Sequence, residues 1–189
     1  DALLFARTSQ KLAALFGVDT NKQRLDSVHI VSNMRRLSRI GIFSRVIQKF
    51  LRNLKRHHDS LFEATEESLR ERYLTDKALS AFSMVKPTVA EKTLGQVSAD
   101  LLALTEQFKE QSAVCEMHSY KLMQRVLADH CEIGNTGDGT RLKLKPASEV
   151  ASDSLQNPSD PNASYDGHKG QGYQVQVMET YCVAKDEKI

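Results

Sequence analysis

Apolar residues recur along this chain with two periods, and each period predicts an element. Ile40, Phe43, Ile47, Phe50 and Leu54 are spaced three and four apart. That spacing lines one face of a helix and predicts a long one over 34–57. Arg45, Lys49, Arg52 and Arg56 repeat the spacing on another face, so this helix has a core side and a basic side. Leu94, Val97, Leu101, Leu104 and Phe108 predict a second long helix over 89–108, and 110–132 a third with Met117, Tyr120 and Leu127 inward. The pattern leaves open whether these two are one bent helix or a hairpin. Residues 66–85 predict a further helix, with Leu69, Tyr73, Phe82 and Val85 as core candidates and Pro87 as its end. At the front, 2–16 reads as a helix with Phe5, Leu12 and Phe16 on one face, Leu4 and Leu15 beside it, and Gly17 as its stop. Paired seams of this length predict a helical bundle.

The second period is two. Residues 24–31 are short and β-branched, and predict a strand with Asp26, Val28 and Ile30 on one face and Leu25, Ser27, His29 and Val31 on the other. Residues 173–182 alternate likewise, with Tyr173, Val175, Val177, Glu179 and Tyr181 on one face. Between the helices and this last strand, 134–172 holds six of the nine glycines and three of the four prolines, which is loop chemistry. So long a loop is either functional or partly disordered. The chain therefore divides into a leading helix and strand (1–33), a helical block (34–133), a Gly/Pro/Ser-rich loop (134–172) and a closing strand (173–189). The fold class is α+β, mostly helical. Two strands alone make a marginal sheet, so they are expected to belong to a larger mixed one.

Composition narrows the classes. At 189 residues the chain is about one domain's worth. No apolar stretch reaches membrane-spanning length, and no membrane partner is expected. Three cysteines, Cys115, Cys131 and Cys182, are odd in number and far apart, which predicts a reducing cytoplasmic compartment. The chain starts at Asp1 and not Met, as a piece of a longer one would. Charge changes the picture more. Residues 1–60 carry 12 Lys/Arg against 4 Asp/Glu, while the rest carries 14 against 20. A basic front segment points weakly to a polyanion, and taken alone the charges read better as a solvated helix face.

Two segments resemble the DDE-type insertion-sequence transposases. Asp26-Ser27-Val28-His29-Ile30, followed by Ser32-Asn33 and a basic helix, is similar to that family's Asp-Ser-Thr-His-Ile element. Asp160-Pro161-Asn162-Ala163, then Gly167-His168-Lys169-Gly170 and Gly172-Tyr173-Gln174-Val175-Gln176, is similar to its Asp-Pro-Asp-Ala and Gly-His-Lys-Gly elements. The resemblance, with the helices between, covers nearly the whole chain. It implies a partial ribonuclease-H-like core in which two strands flank a long helical insertion. It implies metal-dependent DNA cleavage and strand transfer by Asp, Asp and Glu on two Mg²⁺ ions. Two such ions, roughly 3.5–4 Å apart, stabilise an in-line displacement at phosphorus. By position Asp26 is the first catalytic and metal-binding carboxylate.

Val28 stands where the family commonly has Thr, and Asn162 where it has Asp, so Asp160-Pro161-Asn162 reads as a turn. The family's second Asp and its Glu lie on later elements, and Glu179 falls on the wrong element to replace them. This fragment alone is therefore expected to be inert. The partners implied are DNA at the ends of a mobile element and further copies of the chain, in a bacterial cytoplasm near the nucleoid. Arg35, Arg36, Arg39, Arg45, Lys49, Arg52, Lys55 and Arg56 suit DNA phosphates, as do His168 and Lys169 between glycines. The alternatives are a non-enzymatic helical module binding DNA or protein, and a degenerate relic. Cys115 with His118, and His130 with Cys131, look superficially like zinc ligands, but no second pair supports them, and buried helix residues are the better reading. Gly137-Asp138-Gly139 is a turn signal too weak for a nucleotide loop.

Overall fold

A computed structural model describes residues 2–18, 23–75, 81–82, 85–136 and 139–180. Among them, in chain order, are α1 (Ala2–Leu15), β1 (Gln23–Val31), α2 (Arg39–His57), α3 (Asp59–Glu63), α4 (Glu67–Leu74), α5 (Pro87–Phe108), α6 (Ser112–Cys115), α7 (His118–His130), β2 (Cys131–Thr136), β3 (Gly139–Leu144), a 3₁₀ turn (Ala147–Glu149), β4 (Ser164–Asp166) and β5 (Gly170–Thr180). The chain is α+β with small sheets, and it divides into two compact units: residues 31–172, and residues 1–30 with 173–189.

The larger unit is built around α2. The Ser38 hydroxyl accepts the Gly41 N–H at 3.2 Å, satisfying a helix-end donor that has no partner within the helix. The helix therefore starts at Arg39, five residues later than the pattern predicts. All five predicted seam residues, Ile40 to Leu54, are buried, and Ile42, Val46 and Leu51 widen the seam. Helices α3, α4, α5 and α7 all pack on α2. Phe50 meets the rings of Phe108 and Tyr120, with centroids 5.6 and 6.1 Å away. The Tyr120 hydroxyl donates to the Thr105 carbonyl at 2.9 Å. Helices α5 and α7 are thus two helices packed on one another, with the single turn α6 between them.

One predicted helix is corrected. The helix expected over 66–85 is interrupted: α4 ends at Leu74, residues 81 and 82 are helical again with Phe82 stacked on Tyr73 at 5.3 Å, and residues 76–80 and 83–84 lie outside the described residues. Val85 and Lys86, just before Pro87, are not helical, as expected, and Pro87 also starts α5. Its fixed φ and missing N–H suit the first helical position, where that N–H would have no partner. Beneath α4, the Asp100 carboxylate accepts from the Tyr73 hydroxyl at 2.7 Å, Arg72 at 2.5 Å and Gln96 at 2.9 Å, so this buried charge is fully engaged.

The span expected to be loop contains two strand pairings. β2 and β3 form an antiparallel hairpin from Cys131↔Leu144 to Thr136↔Gly139; residues 137 and 138 lie outside the described residues. β4 pairs with the start of β5, Ser164↔Gly172 to Asp166↔Gly170. Gly170, at φ 86°, takes the left-handed conformation this turn requires. From Lys145 to Ala163 the chain runs as a strap tied down by polar side chains. Arg125 donates to the carbonyls of Pro161 and Asp153, Lys49 to that of Pro158, and the Asn157 amide to that of Arg35. Asp129 accepts the Leu155 N–H, and Leu155 itself is fully buried.

In the smaller unit β1 lies beside β5, in a sheet ordered β1-β5-β4. Arg24 faces Glu179 at 3.8 Å, and the Ser32 N–H donates to the Gln171 carbonyl at 2.9 Å, so β1 and β5 run antiparallel. The apolar positions here are exposed on both strands: Leu25, Val28 and Ile30 on β1, and Val175, Val177 and Met178 on β5. On α1, Leu12 and Leu15 are exposed, as is Phe16 just beyond it. Residues 181–189, including Tyr181 and Cys182, lie outside the described residues.

Candidate nucleic-acid interface

The basic residues singled out from the sequence separate into three groups. The first turns inward. Arg39 donates to the carbonyls of Lys145 at 3.0 Å and His130 at 3.3 Å, tying the start of α2 to the ends of α7 and β3. Burial lowers its pKa. Arg39 therefore leaves the predicted basic face. Its backbone lies one turn before Phe43, on the side that packs against His130, where the ring centroids are 5.5 Å apart. Burial, aided by the nearby Arg39 charge, pushes the His130 imidazole down to about 4. Cys131, next in the chain, is pushed up to about 11 by burial.

The second group rests on aromatic rings. Arg36 sits over Tyr165 at 5.7 Å, and Lys55 over Phe62 at 5.4 Å. Both keep their charge at the surface.

The third group converges. Arg45, Lys49, Arg52 and Arg56 line one cleft of about 280 Å³ between α2 and the strap at Pro158 and Ser159. Among the described residues no carboxylate lines it. Lys49 spends its ammonium on the Pro158 carbonyl at 2.5 Å, which fixes the strap as the far wall. Arg45, Arg52 and Arg56 have no ion-pair partner among the described residues. Gln48 also lines the cleft. It is only 3% exposed, and its Nε2 has no hydrogen-bond partner among the described residues. Sequence reasoning missed Gln48, although a lone amide inside the run Val46-Ile47-Gln48 is a signal. Arg35 is exposed beside Ser38 at the start of α2, in a neighbouring cleft it shares with Arg36 and Arg45.

His168 and Lys169 are exposed at the β4–β5 turn. Their backbone N–H groups do not point outward to an anion. Both donate to the Asp166 carboxylate, at 2.8 and 2.9 Å. The turn thus satisfies itself, and only the two side chains remain for a partner.

Asp26 is exposed on β1, and its Oδ1 accepts the Ser27 N–H at 2.8 Å. His29, on the opposite face, has two ring nitrogens without partners. Among the described residues no group of three or more His, Cys, Asp and Glu side chains could hold a metal ion. The Asp26 carboxylate stands alone in this respect, and the described residues do not by themselves make a two-ion site. Cys115 directs its thiol at the carbonyls of Phe108 and Lys109, and His118 is exposed. Cys115 and Cys131 are free thiols. No helix among the described residues is long and apolar enough to cross a membrane.

The two segments that carry the sequence resemblance meet. The Ser32 hydroxyl donates to Asp160 Oδ2 at 3.0 Å, across 128 positions of chain. Residues 161 and 162 form a turn directly after Asp160. Comparison with protein-family profiles, curated proteins and solved structures finds no match for this chain.

Proposed function

We propose that this chain is part of a DDE-type transposase: the first strand, helical insertion and second strand of a ribonuclease-H-like core. Asp26 is its first metal-binding carboxylate, Mg²⁺ its cofactor and DNA at mobile-element ends its substrate. The observation that carries the reading is the Ser32–Asp160 hydrogen bond. It joins two motifs far apart in sequence, as expected if both belong to one site. The neighbouring of β1 and β5 supports the same reading. The activity is metal-dependent DNA strand cleavage and strand transfer, by a bacterial protein working at the nucleoid. The fragment alone is inert, because one carboxylate does not complete the site.

The test is to express the chain with the coding sequence that flanks it and to assay cleavage of DNA carrying the element's ends with Mg²⁺. Cleavage that Asp26→Ala abolishes supports the reading. Cleavage indifferent to Asp26, or metal-dependent nicking by the 189-residue chain alone, overturns it.

One observation favours a second reading. Three arginines without carboxylate partners among the described residues face a single cleft, and that arrangement needs no metal. It supports a non-enzymatic helical module that binds DNA. This reading gains if Asp26→Ala leaves every measurable activity intact.

A further inference from the structure

We infer that the cleft between α2 and the strap holds one phosphodiester strand of duplex DNA, with Gln48 as an uncharged phosphate donor among the arginines. The inference rests on the DNA-binding reading common to both proposals above and assigns it to particular groups. Arg45 and Arg56 are eleven residues apart, so the cationic stripe runs about 16 Å along the helix axis. That is a track for several phosphates in a row and not a pocket for one small anion. The stripe is free to act, because Arg45, Arg52 and Arg56 have no ion-pair partner among the described residues. The second, independent observation is Gln48. A buried amide N–H without a partner is costly, and this one sits in the cleft wall. A phosphate oxygen is the acceptor it lacks.

The cleft also says what is not read. Among the described residues no aromatic ring lines it, so they offer no platform for unstacked bases, on which single-strand binding relies. Among the described lining residues there is no carboxylate to read base edges, and the amides are those of Gln48, which is buried, and Asn53. Contact with the backbone positions a duplex without specifying sequence. Lys49 has a different task. Its ammonium holds the Pro158 carbonyl, so it is a positioning residue that sets the width of the cleft.

The experiment measures binding of a fluorescent 25-base-pair duplex to the whole chain by anisotropy, from 50 to 200 mM NaCl. Each phosphate contact contributes about 0.9 to the slope of log affinity against log salt. The triple variant Arg45→Gln/Arg52→Gln/Arg56→Gln is expected to lower the slope by about 2–3, and each single variant by about 0.9. Gln48→Met is expected to weaken binding severalfold with the slope unchanged, a signature no charged contact gives. Lys49→Met is expected to weaken binding with a smaller slope change than any arginine variant. Circular dichroism checks that each variant is folded, and the single variants carry the test if the triple one is not.

Unchanged affinity and slope in the triple variant, with loss in Arg35→Gln/Arg36→Gln, overturns the cleft but leaves DNA binding standing. Failure of the unaltered chain to bind the duplex overturns both. Tighter binding to a single strand of equal length, or full displacement of the duplex by millimolar inorganic phosphate at constant ionic strength, also overturns the inference.

Discussion

The two units use the same alphabet of apolar patterns and come to opposite ends. In residues 31–172 the seam of α2 is covered on all sides. Phe43, Ile47, Phe50 and Leu54 are 0% exposed. In the smaller unit the alternating residues of β1 are equally regular, yet Leu25 is 61% exposed and Ile30 51%. Phe16, beyond α1, is 73% exposed. Periodicity tells which residues share a face. It does not tell whether a second face exists to cover them. In the larger unit the covering faces come from α3, α4, α5 and α7. In the smaller one the described residues supply no such cover.

The contrast can be broken by measurement. The largest effect expected is from Phe50→Ala, which should cost about 3–5 kcal/mol, because it empties the contact with Phe108 and Tyr120. Urea unfolding of the whole chain, followed by far-ultraviolet circular dichroism, reads it. Asp100→Ala should cost about 3 kcal/mol, since it leaves the Tyr73 hydroxyl and the Arg72 charge without their acceptor. Burial and the Asp100 carboxylate together already hold the Tyr73 hydroxyl far above its ordinary pKa.

Acid should act on the larger unit through His130. Unfolded, this imidazole takes its proton near its ordinary value of 6.5; folded, only near 4. The unfolded state therefore binds more protons between those values, and stability is lost as pH falls from 6.5 to 4. The loss approaches about 3 kcal/mol at the lower end. His130→Leu should flatten that part of a stability–pH curve, and an unchanged curve would remove His130 as its cause. The smallest effects belong to the other unit. Val28→Ala and Val177→Ala should each change stability by less than about 0.5 kcal/mol. If either matches Phe50→Ala, the contrast between the units is wrong.

Much of the helical block was legible. The seams of α2 and α5 are as the spacing predicts, because 3.6-residue periodicity persists over several turns. The positions of β1 and β5 were legible for the same reason at period two. The break before Pro87 was legible, but not that Pro87 starts α5, because proline stops one helix and starts another with equal ease. The β2–β3 hairpin was hidden by Gly134 and Asn135, residues depleted in strands; its pairing is imposed by Cys131, Leu142 and Leu144 on the core. In the candidate interface, spacing found the four residues of the stripe. It could not show that Arg39 turns to backbone carbonyls or that Lys49 is tied to Pro158, because both depend on a strap more than ninety positions away.

That strap has a consequence for how such a chain can drift. Lys49, Arg125 and Arg39 grip it and its approach by backbone oxygens. A carbonyl is offered by every amino acid, so these contacts place no demand on the side chains they hold. Letters in the strap can be exchanged while its path persists, and the burden of constancy falls on a few distant basic residues and on Leu155.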